Sequence, residues 1–464
     1  MSHATSGGRN LFLRRGIVQT TGFMRPFVTL IRGRLMFQQY PQTDVNEPIL
    51  LHEGRFRVQA GDRLVEASGS AHLRWLPSPG IDFDMETDEP VGLDLDSLTV
   101  ELQGFATKNV FAYSTGAPGL IRASAAEMEW GGSRRLLSVG FQIVNFPDFV
   151  TPGPAAVPGD PTSVGSGYGT IQTVGLNHDG WQIRIVAVPE SGDRYKKLKA
   201  TGGYALTHVG HLKRSDDSTF SVEKAKDILE SLRVFLSFAR GAMCGMPIQW
   251  GRGAEGKIVW RWFGSPVVDR WKGPYSSWIG TNHGTVLAEL FDSFCRKHDD
   301  PKFREPLAVA VHMYSHCNTR SSGMEGSIIL GTAALELLGT LIVENHGDIQ
   351  DAAKRLRKLL SALKTQPTIP PRFQALARFA KKNGNWDAPK GLVQFRHGFV
   401  HPTEERRKIV FAPEAHAATS DACTLAVWYQ ELALLHLLGH AGSYCNRTTA
   451  AWAWEVEPVP WSKS

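Results

Sequence analysis

The sequence predicts an α+β protein of more than one domain, with a β-rich sandwich or barrel-like N-terminal domain followed by an α-helical bundle. Three observations carry that expectation. Up to about residue 215, apolar and polar residues alternate with a period of two between Gly and Pro clusters. From Ser221 the apolar residues recur at helical spacing. The chain has 464 residues, 42% of them apolar and 10% aromatic, which is enough for two buried cores. The expected division is a β-rich sensing or regulatory domain at 1–215, a helix with a Trp-rich connector at 216–284, and a helical domain at 285–464.

The N-terminal stretch "GRNLFLRRGIVQTTGFMRPFVTLIRGRLMF" (8–37) is basic and partly apolar. Arg25, Arg32 and Arg34 interrupt it before any apolar run reaches the length of a signal peptide or a membrane span, so it is read as the first strands of the β-rich part. Strand patterns follow in "GRFRVQAG" (54–61), "HLRWLPSPG" (72–80), "SLTVELQGF" (97–105), "RRLLSVGFQIVNF" (134–146) and "WQIRIVAVPE" (181–190). The acidic stretch "IDFDMETDEPVGLDLDS" (81–97) lacks the ligand order of a calcium loop and is read as a solvated edge. Residues 151–170, rich in Pro, Gly and Ser, read as a long functional or mobile loop.

The first helix is expected in "SVEKAKDILESLRVFLSFARGAM" (221–243), where Ala225, Ile228, Leu229, Leu232, Phe235 and Ala239 form one stripe and Ser221 supplies the N-cap. Further helices are expected at about 285–298, 302–316, 324–345, 349–364, 371–382, 388–401 and 418–440.

Charge divides unevenly. Residues 1–220 hold 21 Lys and Arg against 22 Asp and Glu, whereas residues 221–464 hold 30 against 23. The basic excess therefore belongs to the helical half and suits a polyanionic partner. Five scattered cysteines without a CxxC pair point to a reducing compartment, read as the cytoplasm.

Several familiar patterns carry no chemistry. "GRGAEGK" (251–257) has the spacing of a phosphate-binding loop, but Ile258 follows where Ser or Thr is needed and a strand pattern replaces the helix. His208 and His211 lack a third ligand nearby, and His436 and His440 lack the Glu of a zincin; both pairs read as core or cap histidines. No GxSxG elbow occurs. Neither a metal nor a cofactor is expected.

The stretch "GLVQFRHGFVHPTE" (391–404) is different. His397 and His401 lie one above the other on a helix, while Arg396 and His401 would diverge by about 140°. Pro402 biases His401 away from helical dihedrals, and Gly398 loosens the last turn. Arg396 and His401 are then expected to converge on one small site. Arg can fork onto phosphate oxygens and His can move a proton near neutrality, so the chemistry suits a phosphodiester.

A helical bundle whose late helix carries Arg396, a polar neighbour in His397 and then His401 resembles the HEPN superfamily, whose signature is R-x(4–6)-H. The run "GSIILGTAALELLGTLIVEN" (326–345), with Glu336 buried in an apolar helix, is similar to the acidic-residue helix of many HEPN domains. The resemblance covers about 285–442, and the layout as a whole is similar to that of ApeA-type anti-phage proteins. It departs from the pattern in having His397 where Asn usually follows the Arg. The resemblance implies a metal-independent endoribonuclease, commonly directed at tRNA, that leaves a 2′,3′-cyclic phosphate and a 5′-hydroxyl. His401 would be general acid/base, Arg396 would hold the phosphate, His397 would assist and Glu336 would orient or support the site. It also implies anti-phage defence or toxin-like growth arrest, a phage-derived trigger, and a homodimer or higher homo-oligomer without membrane attachment. A physical argument favours two facing copies: the negative end of a helix dipole is a poor place for phosphate, and a second motif doubles the positive charge over one cleft. A catalytically inactive HEPN module that binds RNA, nucleotide or a partner protein is the alternative.

Overall fold

The computed structural model describes residues 29–31, 34–36 and 40–463, except 61–62, 89–97, 103–104, 107–109, 115–118, 133, 150–172, 266, 274–275, 281–283 and 450–454. The Pro/Gly/Ser segment at 151–170 and most of the basic N-terminus thus lie outside the described residues. A short hairpin, Thr29–Ile31 with Arg34–Met36, is described within the latter.

The N-terminal half is built on one antiparallel sheet. Its strands are β1 (Ile49–Ala60), β2 (Arg63–Arg74), β3 (Gly80–Glu86), β4 (Leu98–Leu102), β5 (Phe105–Ala106), β6 (Val110–Ser114), β7 (Leu120–Ala125) and β8 (Glu127–Trp130), followed by β9 (Ser138–Val144), β10 (Thr173–His178), β11 (Trp181–Ala187), β12 (Leu206–Arg214), β13 (Gly245–Arg252) and β14 (Ile258–Gly264). Their order across the sheet is β10-β11-β12-β9-β13-β14-β8-β5-β4-β1-β2-β3-β7-β6. The last strand returns to β4 through the pair Leu98–Val110, so β1, β2, β3, β4, β6 and β7 make a nearly closed, barrel-like ring.

Alternation explains the ring. In β3, Ile81, Phe83 and Met85 are fully buried, while Asp82, Asp84 and Glu86 face outward. The acidic stretch is therefore the polar face of a strand in its first part. Arg74 Nη2 reaches Asp82 at 3.1 Å, and Arg122, directly opposite Asp84 on β7, reaches it at 2.9 Å. Inside the ring, Phe56, Val58, Leu73, Ile81, Phe83, Met85, Val100 and Ile121 form one apolar cluster.

Two sequence expectations are corrected in this half. The Trp-rich stretch taken as a connector supplies β13 and β14, which lie beside β9 and carry the sheet across to β8. Trp260 is fully buried there, its Nε1 donating to Glu129 at 2.8 Å. The strand pattern from Ile258 was read, but its partner β13 was not, since Gly245, Pro247 and Gly251 interrupt its alternation. The half read as all-β also contains a helix, α1 (Ser191–Thr201), which shows no apolar stripe because it buries an arginine: Arg194 donates to the Gln42 carbonyl at 2.9 Å and also to that of Leu206.

Helix α2 (Val222–Arg240) follows the expected stripe, with Ser221 Oγ accepting from the Lys224 N–H and Gly241 closing the C-terminus at φ 72°. It lies in one core with the sheet and the later helices: Phe141, Ile183, Phe235, Phe291, Leu335 and Leu432 belong to a single cluster. The bundle comprises α3 (Gly284–Asp299), α4 (Arg304–Thr319), α5 (Gly323–Ile342), α6 (Ala352–Ala362), α7 (Gln374–Lys382), α8 (Ala388–Val400), α9 (Glu404–Val410) and α10 (Ala415–Leu437). The seven-residue α9, capped by Thr403, is too short to leave a periodic signal.

Sheet and bundle are also joined by polar contacts. His178, at the end of β10 and almost fully buried, places Nδ1 at 2.9 Å from Asp292 and Nε2 at 2.9 Å from Asp299, both on α3. Within the bundle the fully buried Glu431 accepts from Tyr314 Oη at 2.8 Å and from Arg447 Nε at 2.8 Å. Helix α5 has the length and mean hydropathy, 1.4, of a membrane span. It packs here against α4, α6, α8 and α10.

Candidate functional site

Helix α8 begins sharply, because Asp387 accepts from the Lys390 N–H at 2.9 Å and proline occupies the first turn. It ends where Pro402 requires: Val400 is its last residue and His401 leaves the helix at φ −127°, ψ 68°. The chain then turns back into α9. A methyl group on Gly398 would stand 2.2 Å from Val410 Cγ1, so only glycine lets α9 close over the last turn of α8.

The helix end came as expected, but the convergence of Arg396 and His401 did not. Because α8 stays helical through Val400, Arg396 keeps its offset and turns inward, its Nη1 lying 3.6 Å from Glu336 Oε1 on α5. His401 instead faces His397 across 6.1 Å between ring centroids. Arg396 is one-quarter exposed, while His401 is exposed to solvent. Glu336, read from the sequence as buried, is one-third exposed in its side chain, since it sits at the seam between α5, α6 and α8.

Glu336 holds a second cation that the sequence reading missed. Arg355 of α6 donates Nη2 to the same oxygen at 3.4 Å and Nη1 to the Ile349 carbonyl at 2.7 Å. Beside them is His346, 3% exposed, with neither ring nitrogen hydrogen-bonded. Its ring lies over Gly339, where a Cβ would come within 2.3 Å of Nε2. Thr332, Glu336, His346 and Arg355 line a small pocket between these helices. Arg355 lies 19 residues from Glu336, and only the packing of α6 on α5 brings them together.

The outer face has a different character. Neither imidazole of His397 or His401 is hydrogen-bonded to protein among the described residues. The carbonyl of His401 is instead satisfied by Arg406 Nη1 at 3.2 Å and by the Thr403 N–H at 2.9 Å. Partial burial, and then the charges of Arg396, Arg406, His401 and Lys390, hold His397 below the ordinary imidazole range. The pair thus presents titratable nitrogens to solvent in a positive field.

The remaining motifs take ordinary places. "GRGAEGK" is the turn between β13 and β14, with Gly256 at φ 73°. His208 and His211, three apart on β12, point to opposite faces; burial pushes His208 down to about 3, and its Nδ1 meets Thr207 Oγ1 at 3.1 Å. His440 Nε2 donates to the Ser443 carbonyl at 3.0 Å, and His436 packs edge-on against Trp461. Among the described residues, no group of three or more His, Cys, Asp or Glu side chains is placed to hold a metal ion. All five cysteines are buried, and none is in a disulfide.

Comparison with known proteins adds one kind of similarity. Residues 131–274 match the YopA central domain and residues 300–458 match the YopA C-terminal domain. The chain is also 26% identical over 448 residues to the SPbeta prophage-derived uncharacterized protein YopA of Bacillus subtilis strain 168, an alignment covering 90% of this chain and 96% of that relative. No solved structure matches significantly.

Proposed function

We propose that this protein is a metal-independent HEPN-type endoribonuclease that cleaves RNA, with tRNA as the substrate class. The observation that supports it best is the pair of half-buried His397 and exposed His401 at the end of α8, whose ring nitrogens no described protein group occupies, in a field of Arg and Lys. Had the two histidines served only to cap the helix, their rings would be bonded to its carbonyls; neither ring is, and the carbonyl of His401 itself is taken by Arg406 and the Thr403 N–H.

In this reading His397, its protonated form disfavoured by partial burial and then by its cationic neighbours, takes the proton of the ribose 2′-hydroxyl. The 2′-oxygen then attacks phosphorus, the bond to the 5′-oxygen breaks, and His401 in its protonated form gives that oxygen a proton. The products are a 2′,3′-cyclic phosphate and a 5′-hydroxyl. Arg406 would stabilise the developing charge, and Arg396, held inward by Glu336, adds to the positive field at His397. A second copy of the chain facing the same cleft would add its own Arg and His pair, so the active form is a homodimer or higher homo-oligomer. A prophage-derived relative accords with a role in conflict between phage and host, in which the β-rich part would restrain the nuclease until a phage-derived trigger binds in the cytoplasm.

One observation favours a second reading, an inactive HEPN module that binds RNA, nucleotide or a partner. Arg396 is committed to Glu336 and does not share a face with His401. The deciding experiment incubates wild type, Arg396→Ala and His401→Ala with total tRNA in EDTA. Wild type is expected to cleave, and each variant to lose about 10²–10⁴-fold. Cleavage surviving in both variants removes the site, dependence on metal removes the mechanism, and binding without cleavage by wild type favours the inactive module.

A further inference from the structure

The face of α8 that carries the two imidazoles extends toward the other end of the helix. Lys390, Gln394, His397 and His401 fall within about 60° of one another around its axis, and none of them is buried. At the Lys390 end lies a cleft of about 420 Å³, lined by Lys354 and Arg357 of α6, Lys390 of α8, and Trp386 in the turn before α8. That volume is within the range of small-ligand sites, about 300–1,000 Å³.

The cleft also contains two carboxylates, each held by a backbone N–H, and the charges of Lys390, Lys354 and Arg357 act on Asp351. Asp351 accepts from the Lys354 N–H at 2.7 Å, and Asp387 accepts from the Lys390 N–H and pairs with Arg357 Nη2 at 3.1 Å. Lys354 and Lys390 form no ion pair among the described residues. Trp386 sets its ring edge-on to Phe379, with centroids 6.1 Å apart, and contributes to the cleft wall. An aromatic wall beside two ammonium groups that make no close ion pair is the combination that holds a base and its flanking phosphates. The positive charge is felt along the stripe, since Lys390 is among the groups that disfavour protonation of His397.

We propose that this cleft is a nucleotide subsite, where one base of a single-stranded RNA lies against Trp386 and its phosphates meet Lys354 and Lys390. The strand then runs along α8 past Gln394 to His397 and His401. At a rise of 1.5 Å per residue those side chains begin about 10 and 16 Å from Lys390, a span that a short run of nucleotides covers. The assignment rests on the ribonuclease reading for its substrate class, although the cleft can be tested without any cleavage.

The probe is a fluorescently labelled, 2′-O-methylated single-stranded oligonucleotide, which has no free 2′-hydroxyl and stays intact. Its anisotropy is titrated with full-length protein at several salt concentrations. Trp386→Ala is expected to weaken binding about 10-fold. Lys354→Gln and Lys390→Gln should each weaken it and lower the salt slope by about 0.7, while Lys257→Gln, on the distant β13–β14 turn, leaves both unchanged. Trp386→Phe should retain most of the affinity, and if Trp386→Ala fails to fold, the two lysine variants decide. No binding by wild type, wild-type affinity in the Trp386 and Lys390 variants, or equal weakening by Lys257→Gln would overturn the subsite. The two proposals fail separately. Binding that depends on Trp386, without cleavage that depends on Arg396 and His401, removes the nuclease and keeps the subsite; the reverse result does the opposite.

Discussion

Arg396 and His397 are neighbours in the chain, yet they turn to different surroundings and ionise under different constraints. Arg396 faces inward to Glu336, while His397 faces outward among positive charges that disfavour its protonated form. If His397 is the base, kcat/KM for RNA cleavage should fall on the acid side only below the ordinary imidazole pKa of about 6.5. The sign follows from the cause: cationic neighbours lower the pKa, so removing one raises it. Lys390→Gln should therefore move the acid limb upward, which a pH–rate profile measures. Glu336→Gln should release both Arg396 and Arg355 and reduce cleavage about tenfold, with the circular dichroism spectrum unchanged. Arg396, His397 and His401 stood out together because they share one helix end, whereas Glu336, 60 residues earlier, was joined to them only by the HEPN resemblance. The sequence could not show which way Arg396 points, since its partner Glu336 lies on another helix, nor could it reach Arg355 and His346, which join the group only through the packing of α6.

Among elements, the contact between α8 and α9 is the tightest test of the site's frame. Gly398→Val should destabilise the protein by about 1–3 kcal/mol through overpacking against Val410, and Val410→Ala in the same chain should recover part of it, as read by thermal unfolding of the single and double variants. Truncating His178 to Ala should cost about 1–2 kcal/mol, because it removes both of the bonds that tie β10 to α3. Long elements with a clean period were legible: α2, α3, α4, α5 and α8 lie within a few residues of their expected limits. Those that failed had a physical reason to be silent. Helix α1 buries an arginine instead of an apolar stripe, α9 is two turns long, and β3 concealed its apolar face behind Asp82, Asp84 and Glu86.

At the scale of the whole molecule, sheet and bundle share a core, so the two halves should unfold together. Arg447→Met tests that cooperativity, since it leaves Glu431 charged and fully enclosed at a cost of about 3–5 kcal/mol. A single transition, shifted down as one, is the expected calorimetric result. The composite-site proposal makes a separate demand. Light scattering should find at least a dimer wherever cleavage is seen, and a monomer that retains activity would remove it.

The ring formed by β1, β2, β3, β4, β6 and β7 bears on how any signal could enter. Phe56, Phe83, Met85 and their neighbours take up its lumen, so it is a solid post and not a vessel. Among the described residues, these side chains fill the interior that hollow barrels of other proteins leave open to small molecules. Whatever this half of the protein recognises must be met on the outer wall or at the rims, by something large enough to grip a convex surface, and another macromolecule answers that description better than a small solute.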